Sequence, residues 1–118
     1  MIKTRGYSVS SATQILTFGP LREKPSGFLI SCVQNGSGEA TGTLEVALTG
    51  PNPSVAEVQA GDPLVPSGLV IQYTFHESIS QPATWHIGLD PIDWEGKYLS
   101  VAITDASGDV HSGLVTLF

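Results

Sequence analysis

The sequence predicts an all-β protein, an antiparallel β-sandwich of about seven strands in a single domain over residues 1–118. Three observations predict it. Apolar and polar residues alternate with a period of two in several segments, turn-forming residues separate those segments, and no segment carries a helical apolar stripe longer than two turns. The chain holds 13 glycines and 8 prolines, which favours many tight connections. Immunoglobulin-like and jelly-roll-like topologies both fit this pattern.

The alternation is clearest in four segments. In Thr43–Thr49, the side chains of Leu44, Val46 and Leu48 share one face, which is typical of a half-buried strand. The same pattern predicts three further strands, at Leu69–Phe75, Thr84–Leu89 and Lys97–Thr104. Trp85 lies on the apolar face of its strand, so we expect it in the core.

Three other segments are rich in β-forming residues but alternate less regularly. Gly27–Gln34 fits a strand buried on both faces, Val110–Phe118 a terminal strand, and Ala12–Phe18 a shorter one. Cys32, the only cysteine, lies within the first of these segments, so we expect a buried free thiol and no intrachain disulfide.

The connections carry turn-forming residues. Asn35–Gly38 and Asp105–Asp109 supply the positive φ angles that tight hairpins need. Pro51–Gly68 is the longest connection, and we expect it to cross from one sheet to the other. Within it, Ser54–Ala60 fits either a short edge strand or one helical turn.

Charge is distributed unevenly along the chain, whose formal net charge is −6. Residues 1–25 hold four basic residues against Glu23 alone, a formal charge of +3, and residues 26–118 carry −9. This acidic body disfavours nucleic acid and anionic membrane surfaces as partners. The basic leader predicts a segment that docks on an acidic surface of its own body, of a neighbouring copy or of another protein; the alternative is a chance cluster. The leader's basic residues are Lys3, Arg5, Arg22 and Lys24.

Residues 1–25 allow two structures. They form either a basic N-terminal arm laid on a neighbouring subunit or the first strand of the sandwich. The N-terminus lacks an apolar core segment, so we expect no signal peptide, and no run of apolar residues is long enough to predict a membrane span.

No pattern in the sequence indicates a catalytic chemistry. His76, His86 and His111 match no metal-ligand spacing, and we expect each to be exposed. Asp93 and Glu95 belong to a loop that lacks the dense acidic spacing of a calcium site. Nucleophile motifs and phosphate-binding glycine loops are missing as well. We therefore expect no enzyme, no cofactor and no metal.

Trp94 lies in a loop between acidic residues and a glycine. An exposed tryptophan in such a place indicates an interface or a sugar-stacking site. The alternative is that its indole folds back and caps the open end of the sandwich.

Three segments resemble strands of the small β-sandwich virion proteins of tailed bacteriophages: Thr41–Gly50, Gly96–Thr104 and Gly113–Leu117. The resemblance covers about half of the chain. It implies a head decoration, minor capsid, neck or tail component, which is assembled in the bacterial cytoplasm and becomes part of the virion. Such a component binds other virion structural proteins and forms a homo-oligomer, without an enzymatic activity.

A carbohydrate-binding or receptor-binding module is the alternative function. Trp94 and Tyr98 would then form the stacking platform, and Asp93 or Glu95 would accept hydrogen bonds from sugar hydroxyls.

Overall fold

A computed structural model describes residues 3–9, 13–35, 40–60, 62–63, 71–75, 83–86, 93–105 and 111–118. These residues form antiparallel strands and one short helix, which confirms the predicted all-β sandwich. Every predicted strand is present in whole or in part, and β1 and β5 are additional. The elements are β1 (Lys3–Val9), β2 (Gln14–Phe18), β3 (Gly27–Asn35), β4 (Ala40–Thr49), α1 (Val55–Ala60), β5 (Asp62–Pro63), β6 (Ile71–Phe75), β7 (Ala83–His86), β8 (Tyr98–Asp105) and β9 (His111–Leu117).

Some predictions fall on residues or side chains that lie outside this description. For Cys32, Trp85 and His86 only the backbone is described, so their predicted burial or exposure stays a prediction. His76 and the turn residues 36–38 and 106–109 lie outside the described residues.

The strands form two sheets with the orders β1-β9-β3-β7 and β2-β8-β4-β5, and β6 also pairs with β4. The pairs β4·β6, β3·β7, β2·β8 and β1·β9 are the successive rungs of one long antiparallel ribbon. Successive rungs belong alternately to the two sheets, and the pairs β3·β9 and β4·β8 join the rungs within each sheet. A ribbon rolled in this way is a jelly roll, so the pairing selects one of the two topologies that the sequence left open.

Two predictions about the connections are wrong. The connections from β3 to β4 and from β8 to β9 were expected to be hairpins, but each joins strands of different sheets. The connection from β4 through α1 to β6 was expected to cross between sheets, but β5 and β6 both pair with β4. Turn residues specify that the chain reverses direction; they do not specify which strand it pairs with.

Helix α1 decides the open assignment of Ser54–Ala60 in favour of a helical turn. The backbone N–H of Glu57 donates to the Ser54 hydroxyl at 3.3 Å, and that hydroxyl donates to the Glu57 carboxylate at 3.3 Å. Ser at the N-cap with Glu three residues later is a capping-box sequence, and it is the local signal for the helix start. No helix in the described part of the chain is long and apolar enough to cross a membrane.

The core lies between the inner faces of the two sheets. Alternate residues of β1, β3 and β9 meet alternate residues of β2, β4 and β8, as period-two alternation requires. On the outer face of the second sheet, Val58 of α1 packs with Ala47, Ala102 and Ile15. The main core cluster contains Tyr7, Val9, Leu16, Phe18, Leu21, Phe28, Ile30, Leu44, Val46, Leu48, Leu99, Val101, Ile103, Val115 and Leu117.

The N-terminal leader is part of the sandwich. Residues 3–9 pair with β9 along their whole length, and residues 14–18 pair with β8. Tyr7, Val9, Leu16 and Phe18 are all buried in the main core. Of the two structures that the sequence left open for residues 1–25, the described residues support the strand, because an arm would leave these apolar side chains in water.

Candidate partner-binding end of the sandwich

The topology gathers all the Lys and Arg residues of the chain at one end of the sandwich, where β1, β3 and β8 begin and β2, β4 and β9 end. Lys3 is opposite Leu117, near the end of β9. In the other sheet, Tyr98 at the start of β8 is opposite Thr49 at the end of β4. We call the following residues the basic end: Lys3, Arg5, Arg22, Lys24 and Lys97.

Arg5 joins the two sheets at this end. Its guanidinium carbon lies 5.8 Å from the centroid of the Phe18 ring, which belongs to β2 of the other sheet. By the two-residue period of β1, Arg5 is on the same side of the strand as Tyr7 and Val9, but unlike them it is exposed. A guanidinium over an aromatic ring keeps its charge in water while its stem covers apolar surface.

Backbone hydrogen bonds fix the segment that carries Arg22. The Leu21 N–H donates to the Lys97 carbonyl at 2.8 Å, and the Gly96 N–H donates to the Leu21 carbonyl at 3.0 Å. The Leu21 side chain is fully buried, so Arg22, which follows it, is exposed next to a fixed anchor.

A second anchor holds the chain after Lys24. The N–H groups of Ser26 and Gly27 donate to the Phe118 carbonyl at 2.7 and 3.1 Å. These bonds tie the start of β3 to the end of β9, so Lys24 and Lys3 belong to the same end of the first sheet.

Trp94 lies at the same end and is half-buried. The Lys97 N–H donates to the Trp94 carbonyl at 3.0 Å, which closes a turn in which Gly96 has a φ of +76°. A type II turn needs such a φ at its third residue, and glycine supplies it without steric cost. The indole packs against the main core, and the side chains of Asp93 and Glu95 on either side of it are exposed.

A groove of about 420 Å³ opens beside the basic end. It touches three consecutive residues of β2 together with Arg5 of β1 and Tyr98 of β8. Gly19 lets the Tyr98 ring come close, because a Cβ at Gly19 would lie 2.7 Å from Cδ2 of that ring, and its φ is +148°. The lining residues are Arg5, Ile15, Leu16, Thr17, Gly19, Pro51, Asn52, Pro53 and Tyr98.

A line of hydroxyl groups joins β2, β8 and β4 next to this groove. Ser100 Oγ shares hydrogen bonds with Thr17 Oγ1 at 3.0 Å and with Thr49 Oγ1 at 2.6 Å. Ser100 is fully buried, and both of these partners are hydroxyl groups. This serine therefore cross-links three strands and lacks the exposure and the basic partner that a nucleophile requires.

The prediction that His111 is exposed is wrong. His111 is 1% exposed and lies on the inner face of β9, where its ring meets the Tyr7 ring edge-on at a centroid distance of 5.8 Å. The reason is the strand order, which places β9 between β1 and β3. Among the described residues, no group of three His, Cys, Asp or Glu side chains is placed to hold a metal ion.

Sequence reasoning named four members of the basic end but missed Lys97 and the groove. Lys97 was counted with the acidic body, because charge was summed along the chain. A signal was present, since in an antiparallel sandwich the residue before one strand lies at the end of its neighbour. No protein-family model, curated protein or solved structure matches this chain.

Proposed function

We propose that this protein is a non-enzymatic structural component of a bacteriophage virion, which docks its basic end on acidic surfaces of other virion subunits. One observation carries the proposal: a chain of formal net charge −6 has all five of its Lys and Arg residues at one end of a rigid sandwich. This end carries five positive charges against the three carboxylates of Glu23, Asp93 and Glu95, so its formal charge is positive although the chain as a whole is acidic.

The fold is consistent with this role but does not select it. Jelly rolls occur in viral capsid proteins and also in lectins and enzymes, so the choice depends on the site. The acidic remainder of the chain repels nucleic acid, which favours a protein surface as the partner of the basic end.

The geometry explains how such docking would work. Lys3 and Arg5 are carried by a strand paired along its whole length, and Arg22 follows the anchored Leu21. Charges on a rigid support lose little backbone entropy on binding. Charges at the rim of an interface mainly accelerate association and set the register, so docking should weaken as salt concentration rises.

Mass spectrometry of phage particles tests the proposal. Particles are purified by density gradient from cultures of the host strain that carries the gene, and the protein is quantified against the major capsid protein. We expect a fixed copy number per particle. Abundant protein in the lysate, with none in purified infectious particles, would contradict the proposal.

A carbohydrate-binding or receptor-binding module is the second candidate. Its candidate residues are Trp94, whose half-buried indole packs against the main core, and the exposed carboxylates of Asp93 and Glu95. A glycan panel screened with the wild type and with Trp94→Phe tests it, and the melting temperature of the variant serves as the control for folding. Binding of no glycan by the wild type removes this candidate.

A further inference from the structure

We propose that the groove at the free edge of β2 binds an extended acidic segment of a partner chain by β-strand addition, and that Arg5 pairs with a carboxylate of that segment. This inference rests on the proposed function for the identity of the partner, a second virion subunit. The chemistry of the groove does not depend on that identity.

The first support is an unpaired strand edge. Among the described residues β2 is the last strand of its sheet and pairs only with β8. In an antiparallel pair, alternate residues of an edge strand turn their N–H and C=O groups away from the neighbouring strand. Such a row of groups is what an added strand needs.

The second support is that the groove reaches this edge. It touches Ile15, Leu16 and Thr17, which are consecutive, although side chains of consecutive residues point to opposite faces. Leu16 is 6% exposed and its side chain belongs to the core, from which we infer that the groove meets this residue through its backbone. A site that uses the backbone of a strand edge favours a peptide over a sugar.

The third support is the cation at the groove. Arg5 is exposed, and in the described part of the chain no acidic side chain pairs with its guanidinium. The Phe18 ring holds this guanidinium from one side, which leaves its fork of N–H donors available to a carboxylate. Charge complementarity therefore selects an acidic segment.

The walls of the groove give it a shape suited to side chains. Tyr98, Pro51 and Pro53 contribute rigid rings, and Asn52 contributes an amide, to a lining whose surface is mostly polar. The Thr17–Ser100 hydrogen bond holds β2 against β8, so the edge is fixed before any partner arrives. The volume of about 420 Å³ falls within the range of roughly 300–1,000 Å³ that is usual for ligand clefts.

Nuclear magnetic resonance on the full-length ¹⁵N-labelled protein tests the proposal. The protein is titrated with a pool of acetylated five-residue peptides that have a central glutamate flanked by Val, Ile, Phe or Tyr. A matched pool has glutamine in place of glutamate. We expect the glutamate pool to shift the amide signals of Ile15, Leu16 and Thr17, and to bind more tightly than the glutamine pool.

Variants distinguish binding at the groove from a general electrostatic attraction to the basic end. Arg5→Gln should weaken binding of the glutamate pool about tenfold, because a charge-assisted hydrogen bond is lost. Arg22→Gln removes the same charge from the same end but outside the groove, and should change binding by less than about twofold. Methylation of the backbone nitrogens flanking the central glutamate should abolish binding, because an added strand needs those donors.

Three results would overturn the proposal: equal binding of the two pools, unchanged binding by Arg5→Gln, or undiminished binding of the methylated peptides. A fourth result against the proposal would be displacement of the peptides by an oligogalacturonate, which would indicate an acidic glycan site at the groove. If no peptide binds but the protein is a fixed component of particles, the groove proposal fails and the proposed function stands. If peptides bind but particles lack the protein, the groove proposal stands and the proposed function fails.

Discussion

The two halves of β1 differ in the burial of the side chains that lie on one side of the strand. Tyr7 and Val9 are 3% and 0% exposed, whereas Lys3 and Arg5 are exposed. Lys3 and Arg5 keep the pairing with β9, opposite the buried Leu117 and Val115, but their long side chains reach water, with the Arg5 guanidinium over the Phe18 ring of the opposite sheet. A basic leader can therefore be a structural strand and a charged contact surface at once.

The largest loss of stability is expected when the whole leader is removed. Deletion of residues 1–24 removes β1, β2 and the buried Leu21, including five members of the main core. Each large core truncation costs about 2–5 kcal/mol, and a whole domain is stable by only about 5–15 kcal/mol. We expect no cooperative thermal unfolding in circular dichroism. A truncated protein that remains soluble and melts cooperatively would restore the detachable arm.

The next largest effect concerns the support of the basic end. Gly19→Ala should cost about 3 kcal/mol, because the added Cβ clashes with the Tyr98 ring and the φ of +148° disfavours any L side chain. Gly50→Ala is the matched control, since nothing lies within 4 Å of a Cβ placed there. Equilibrium urea denaturation measures both variants, and equal stabilities would contradict the described packing.

Two substitutions within β1 compare its halves directly. Val9→Ala should lower the free energy of unfolding by about 2 kcal/mol, from two lost methylene equivalents and a residual cavity. Arg5→Ala should lower it by less than about 1 kcal/mol, the usual value of an exposed cation–π contact. Urea denaturation measures the two variants, and a loss for Arg5→Ala as large as that for Val9→Ala would mean that both halves contribute to stability alike.

An effect no larger than that of Val9→Ala is expected at the hydroxyl line beside the groove. Ser100→Ala should cost about 1–2 kcal/mol, because the hydroxyls of Thr17 and Thr49 lose a shared partner. Thr116→Val is the control, since its hydrogen bond to Thr4 is exposed and should change stability by less than about 0.5 kcal/mol. Thermal melts of both variants test this ranking. An unchanged melting temperature of Ser100→Ala would show that the Ser100 hydroxyl does not stabilise the pairing of the three strands.

The sequence predicted the fold class because alternation is a local signal. It left the immunoglobulin-like and jelly-roll-like topologies both open, because pairs such as Lys3 with Leu117 join distant parts of the chain. In the same way, it identified the basic leader by composition but missed Lys97, which only the sheet order brings to the same end. The groove could not be predicted from the sequence, because it depends on how Arg5, Tyr98 and the edge of β2 meet in space.

The most direct test of the central claim is the copy number of the protein in purified particles after two of the five positive charges of the basic end are removed. Lys3→Gln/Arg22→Gln is compared with Glu45→Gln/Glu57→Gln, which removes as many charges from the outer face of the second sheet. Both replace the gene in the host strain, and both should melt like the wild type. We predict that the first variant is depleted from particles and the second is incorporated normally. Equal incorporation of the two variants would show that the basic end is not the docking surface.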